Sequence, residues 1–203
     1  MKLRLRSLSL AALLLLGGAA HADYLWLQRD AQGAKVYAGE LRQPAKALPA
    51  LTDPKPVLPE GKTLPFDKAA DHYGFAPAAG DARFTAARGD DGVLTYHQAR
   101  FGRSETKSVN DLELVPTEPN GNTFRLFFKG RPVPAGQVNV DTSEGWRRTL
   151  TPAKDGTVSF TPSFPGLYVL EVTARVDNGS VTLDGKKYDD VRHTATLSFE
   201  IPR

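Results

Sequence analysis

Apolar and polar residues alternate with a period of two over most of this chain, and the alternation is most complete between Gly130 and Ala174. There, the turn Gly130-Arg-Pro-Val-Pro-Ala-Gly136 combines glycines that tolerate positive φ with prolines that pre-set φ, and Gln137 to Val140 resumes extended chain. Asp155-Gly156, set between Thr149-Leu150-Thr151 and Thr157 to Phe160, predicts a hairpin with a type I′ turn. Phe164-Pro165-Gly166 then starts a strand over Leu167 to Val176. Its residues Tyr168, Leu170, Val172, Ala174 and Val176 share a face, predicted to be the inner face of a β-sandwich, and Tyr168 is expected to hydrogen-bond backbone at the corner. The final strand, Val191 to Ile201, repeats the pattern with Val191, His193, Ala195, Leu197, Phe199 and Ile201 on one face.

The same reading applied upstream predicts an N-terminal hairpin from Asp23 to Gln28 and Ala34 to Ala38. A second pair, Asp81 to Ala87 and Val93 to Phe101, is joined by a turn at Gly89-Asp90-Asp91-Gly92. Arg42 to Pro65 holds six prolines, which excludes a central strand or a long helix and predicts an extended surface loop outside the cores. Further turns fall at Asn178-Gly179 and Asp184-Gly185. Pro116 and Pro119-Asn120-Gly121 punctuate the chain between two patterned regions. The expected organisation is therefore all-β, with two β-sandwich units in tandem: an N-terminal β-rich unit over residues 23–115 that carries the Pro-rich loop 42–65, and a C-terminal unit over 122–203. No apolar stripe of helical period follows residue 22.

Residues 1–22 predict a cleaved signal peptide, because Lys2, Arg4 and Arg6 precede the apolar run Leu8 to Leu16 and the small-residue site Ala20-His21-Ala22. The run is too short to span a bilayer, so a secreted, periplasmic protein without membrane insertion is expected. This changes the meaning of the formal charge of +3, since the leader holds three basic residues and no acid. The rest of the chain is balanced, and nucleic acid loses its electrostatic argument as a partner. With no cysteine in the chain, thiolate catalysis and thiolate metal sites are excluded, and any metal needs histidine, carboxylate or amine ligands.

Several stretches together resemble a family of periplasmic proteins of unknown function that are often labelled as periplasmic components of cobalt or nickel uptake. They are Tyr24-Leu-Trp-Leu27, Asp111-Leu-Glu-Leu-Val-Pro116, Gly130 to Gly136 with Asp155-Gly156 and Pro165-Gly-Leu-Tyr168, and Arg192-His-Thr-Ala-Thr-Leu197. The middle set is also similar to carboxypeptidase-regulatory-like and transthyretin-like sandwiches. The resemblance implies immunoglobulin-like or transthyretin-like units and an accessory role in divalent-metal uptake, with nickel, cobalt, copper or zinc as the metal. A metal-uptake transporter or an outer-membrane receptor is the implied partner. Members of that family often place a histidine where Asp23 stands, so this chain departs from their pattern at the expected new N-terminus.

The candidate metal ligands are Asp23, with the α-amine that cleavage after Ala22 would free, together with His72 or His97. Each histidine has a plainer reading: His72, in Ala70-Asp-His-Tyr-Gly74, as a solvated loop residue, and His97 as a hydrogen-bonded structural residue on a strand. His193 reads as a satisfied histidine at the rim of the second core, dispensable for metal. The acidic pairs Asp90-Asp91 and Asp189-Asp190 are either calcium ligands or solvated turn residues, and Trp26 and Trp146 are expected in cores. Ser104-Glu-Thr-Lys107 matches a serine-and-lysine spacing without the elements that accompany it in enzymes, and Gly61-Lys62-Thr63 lacks the context of a phosphate loop. No enzyme is expected. The leading function is a metal-binding accessory protein; the alternative is a protein- or glycan-interaction sandwich with no metal role.

Overall fold

A computed structural model describes residues 23–58, 62–77, 79–176 and 180–203. The expected signal peptide, the Asn178-Gly179 turn, Gly61 and the side chain of Val176 lie outside the described residues. In chain order the strands are β1 (Tyr24–Asp30), β2 (Gly33–Glu40), β3 (Gln43–Pro44), β4 (Thr52–Pro56), β5 (Asp67–Lys68), β6 (His72–Phe75), β7 (Ala82–Asp90), β8 (Val93–Phe101) and β9 (Leu112–Pro116). They continue with β10 (Thr123–Phe128), β11 (Arg131–Pro132), β12 (Val138–Thr142), β13 (Arg147–Leu150), β14 (Thr157–Ser159), β15 (Gly166–Val176), β16 (Val181–Leu183), β17 (Lys186–Tyr188) and β18 (Asp190–Ile201). The protein is all-β.

Its centre is one seven-stranded sheet in the order β13-β12-β15-β18-β8-β7-β4. Strands from both ends of the chain meet in it through β8 and β18, which run parallel from Asp190 beside Val93 to Ser198 beside Phe101. A parallel neighbour cannot be reached by a tight turn, and here nearly the whole C-terminal half of the chain forms the connection.

Sheets of five strands (β1-β2-β6-β5 with β3) and four strands (β11-β10-β14 with β9) complete the fold together with the β16–β17 hairpin. The strand alternation of β15 shows where the two larger ones lie. Leu167 and Val169 bury against Tyr24 and Trp26 of β1. Tyr168, Leu170 and Val172, on the opposite face, share a core with Leu112 and Leu114 of β9 and Phe124 and Leu126 of β10. The five-stranded sheet therefore covers one face of the central sheet and the four-stranded sheet the other. Thr194, Thr196 and Ser198 of β18 are buried although they read as an outward set, because β1 lies over them and Thr196 Oγ1 donates to the Leu25 carbonyl at 2.6 Å.

Local turn chemistry accounts for several of these joints. Asp91 and Gly92 both take positive φ between β7 and β8, the type I′ geometry that suits strand twist. Tyr168 is buried, donates its hydroxyl to the Phe164 carbonyl at 2.9 Å and accepts from the Phe164 N–H at 3.3 Å, as the corner reading expects.

Four expectations need correction. The strands flanking Asp155-Gly156 do not pair: β13 joins β12 and β14 joins β10, in different sheets. Only Gly156 has positive φ, and Pro152 follows β13, so the chain crosses between layers with Leu150 and Val158 entering one core from opposite sides. The Pro-rich stretch forms β4, but only as the sheet edge and with an irregular register between Thr52 and Lys55, the place where missing proline donors are tolerated. Leu48, Leu51 and Leu64 of that stretch pack against a core rather than outside it. Trp146 is 38 % exposed, because it lies in the turn ahead of β13, the other edge strand of the central sheet, whereas Trp26 is buried as expected. A fourth difference concerns β9, placed at the end of the N-terminal unit by its sequence: it pairs with β10 through the turn at Asn120, and its Leu112 and Leu114 lie in the C-terminal core.

Candidate functional site

On the face of β7 and β8 that looks toward the four-stranded layer, the two strands oppose Arg83 to Arg100 directly. Like charges placed across a strand pair destabilise a sheet unless they are neutralised. Both side chains are fully buried, and carboxylates answer them. Glu113 of β9 accepts from Arg83 Nε and from Arg100 Nη1, each at 2.9 Å, on one oxygen. Asp81 accepts from Arg100 Nε at 3.1 Å and Nη2 at 2.5 Å, and Glu105 from Arg83 Nη1 at 2.6 Å. Burial alone pushes the Asp81 carboxyl up, but hydrogen bonds from Ser104 and Arg100 outweigh it and hold the group below its ordinary value.

The ion cluster ties down the segment 102–111. Asp81 Oδ1 accepts from the Ser104 N–H at 3.1 Å and hydroxyl at 2.7 Å, and the Lys107 carbonyl accepts from Arg83. Ser104 and Lys107, whose spacing resembled a catalytic pair, thus both join this network. Gly102 begins the segment with φ +110°, and a Cβ there would lie 2.3 Å from Asp81 Oδ1, so only glycine fits. The second Glu113 oxygen accepts from the Val109 and Asn110 N–H groups at 2.7 and 2.8 Å. One carboxylate therefore bridges two arginines and positions Asn110.

Beside this anchored segment lies a cleft of about 390 Å³, walled by Thr52, Asp53, Lys55 and Val57, by Thr85 to Ala87, Tyr96 to Gln98 and Val109 to Asp111, and by Leu183. Its polar lining is unusual. Asn110 is buried, and among the described residues neither its Oδ1 nor its Nδ2 has a partner; Gln98 is buried, and its Oε1 has none there either. Buried carboxamide atoms without partners carry a desolvation cost of about 1–3 kcal/mol each, which a ligand able to hydrogen-bond would relieve. The other end of Gln98, Nε2, lies 3.0 Å from His193 Nδ1, and the His193 ring stacks on Tyr96 at 5.0 Å. The charged residues of the walls are Asp53, Lys55 and Asp111, with Lys55 bonded to Asp53. The unpartnered groups themselves are neutral, so the arrangement suits an uncharged molecule with several hydrogen-bonding groups.

Of the sequence-predicted residues, His97 belongs to the β8 wall of this cleft, whereas Asp23 and His72 lie outside it. His97 follows the strand alternation onto the face shared by Phe84, Ala86 and Ala99, beneath the five-stranded sheet. Burial is the main cause that moves its pKa down to about 4; Arg88 also lowers it and Asp23 opposes. Its Nδ1 has no partner among the described residues. Asp23 is exposed, and its carboxylate accepts from Arg88 at 3.4 Å, which brings Asp23 toward the His97 end of the β7–β8 hairpin. His72 sits on β6 opposite Tyr37, with its ring 5.5 Å from Tyr37 and its Nδ1 2.8 Å from Asp71. Among the described residues, no group of three or more His, Asp or Glu side chains is arranged to hold a metal ion. Asp90 is bonded to Arg88, Asp189 to Lys187 and Asp190 to Arg175 and Arg192. Gln98, Asn110 and Glu113 were not singled out from the sequence; the legible clue was the Arg83–Arg100 opposition, which requires carboxylates above it.

Compared with known proteins, the chain matches no family model and no curated sequence.

Proposed function

We propose that this chain is a non-catalytic binding protein of the periplasm, a β-sandwich that takes an uncharged, hydroxyl-rich glycan or small saccharide in the cleft beneath Asn110. The unpartnered Gln98 and Asn110 carboxamides carry this reading. Together they offer two carbonyl acceptors and one NH2 donor, a set that neighbouring sugar hydroxyls, each both donor and acceptor, answer at once. Calorimetric titration of glucose, galactose, maltose and lactose into the chain beginning at Asp23 tests it. At least one should bind, and Asn110→Ala should weaken that binding about tenfold, as loss of one or two hydrogen bonds does. Heat only from peptides, or an unchanged affinity in Asn110→Ala, would contradict it.

A second reading is favoured by one observation, the buried, neutral and unpartnered His97 Nδ1 near Asp23. In it the protein is an accessory for nickel, cobalt, copper or zinc uptake, docking with a transporter or outer-membrane receptor. His97, the Asp23 carboxylate and a freed α-amine would hold the metal, nitrogen ligands that suit those ions. Binding of nickel or zinc that is lost in His97→Ala would establish this reading.

A further inference from the structure

Gln98 has one satisfied end and one unsatisfied end, and the satisfied end is chosen by a histidine. Gln98 of β8 and His193 of β18 are diagonal neighbours on the same face, since His193 lies beside Tyr96 and Ala195 beside Gln98 in the parallel register. An amide nitrogen only donates, so the 3.0 Å contact makes His193 Nδ1 the acceptor and places the ring proton on Nε2. The ring has little freedom to leave: Tyr96 stacks on it at 5.0 Å and the edge of Phe128 meets it at 5.1 Å. Its proton is the variable that the surroundings leave open.

We propose that His193 sets the polarity of the cleft: neutral, it holds Gln98 with the carbonyl oxygen as the free end offered to the ligand, and protonated, it turns the carboxamide over and offers the NH2 group instead. The inference rests on the reading that this cleft binds ligand. Protonated Nδ1 is a donor and repels Nε2–H, whereas Oε1 accepts from it. Because Oε1 has no partner among the described residues, none of their hydrogen bonds opposes the reversal. The charged groups around the ring act in opposite senses. Burial disfavours its charged form, Asp111 favours it and Lys129 opposes it, with a lowered pKa as the outcome; Asp53 and Lys55 line the far wall and are paired. Near neutrality the cleft therefore presents acceptors from both carboxamides and selects a ligand with adjacent donors. A sugar hydroxyl can turn from donor to acceptor and keeps part of its affinity after the reversal; a ligand offering only N–H groups loses it.

The device is testable without any ligand, by nitrogen-15 NMR of the chain beginning at Asp23. The His193 ring should show the Nε2–H tautomer at neutral pH, and the Gln98 carboxamide signals should move on acidification with the midpoint of the His193 ring. In Gln98→Glu, whose carboxylate only accepts, the His193 midpoint should rise by about one unit or more; Gln98→Met, similar in volume, should abolish the coupled signal while the backbone spectrum stays folded. An Nδ1–H tautomer at neutral pH, or Gln98 signals indifferent to the His193 titration, overturns the inference whatever the cleft binds. Maltose or lactose affinity should fall severalfold through the same midpoint in the parent protein and stay flat in Gln98→Met. Intact coupling with no saccharide bound would instead sink the glycan reading alone.

Discussion

One face of the central sheet is built in two ways. Over β12, β15 and β18 it is an apolar core, in which Tyr168, Leu170, Leu197 and Phe199 meet Leu114, Phe124 and Phe160. Over β7 and β8 it holds two fully buried arginines and their carboxylates. The apolar region draws on non-directional burial, which stabilises without fixing any one atom to better than packing requires. The charged region is a weak source of net stability, because desolvation offsets much of the attraction, but its hydrogen bonds fix the segment 102–111 at the cleft. The contrast places stability at one end of the sheet and the proposed binding geometry at the other.

The largest effect should come from breaking the charged side. Glu113→Ala leaves two buried guanidinium groups short of an acceptor and frees the Val109 and Asn110 N–H groups. It should cost about 3–5 kcal/mol in chemical denaturation and abolish saccharide binding even where the chain is still folded. Tyr168→Ala, in the apolar region, should cost roughly 3 kcal/mol as large aromatic truncations do, yet leave saccharide affinity within about twofold once folded. Tyr168→Phe should cost only about 1 kcal/mol, the value of the hydroxyl's corner hydrogen bonds.

A comparable effect is expected from acid on the opposite face. His97 is held neutral down to about 4, while an unfolded histidine takes its proton near 6.5. The unfolded chain therefore binds more protons between those values, and stability present above 6.5 should fall by about 3 kcal/mol as pH drops toward 4. His97→Gln should flatten that slope in denaturation curves measured at pH 7, 5.5 and 4, and an unchanged slope would show that His97 is not its source. The smallest effect belongs to the exposed Arg88–Asp23 pair: Arg88→Ala should change stability by less than about 1 kcal/mol.

The apolar region was legible in the sequence because its signals are local. Alternation placed Tyr168, Leu170 and Val172 inward, Pro165-Gly166 announced the corner, and Asp91-Gly92 set the hairpin register. The charged region was not, because alternation along Val93 to Phe101 leaves open which face is buried, and β9, which covers Arg83 and Arg100, comes from beyond the following segment. The parallel pairing of β8 with β18 is equally non-local, and no turn residue encodes it. Asp155-Gly156 shows the converse error, a strong local turn signal overridden because Leu150 and Val158 are wanted in opposite layers of one core. Gln98 and Asn110 gave no signal at all, since an orphaned carboxamide is defined by what surrounds it in space.

On this proposal the anchored polar end of the sheet, rather than the Asp23–Arg88 end, receives the ligand. Nitrogen-15 shift mapping during addition of maltose or lactose tests it most directly. The Asn110 and Gln98 carboxamide signals should move first and furthest, followed by the backbone of Val109 to Asp111 and Tyr96. Shifts that cluster at Asp23, Arg88 and His97, with both carboxamides unmoved, would contradict it.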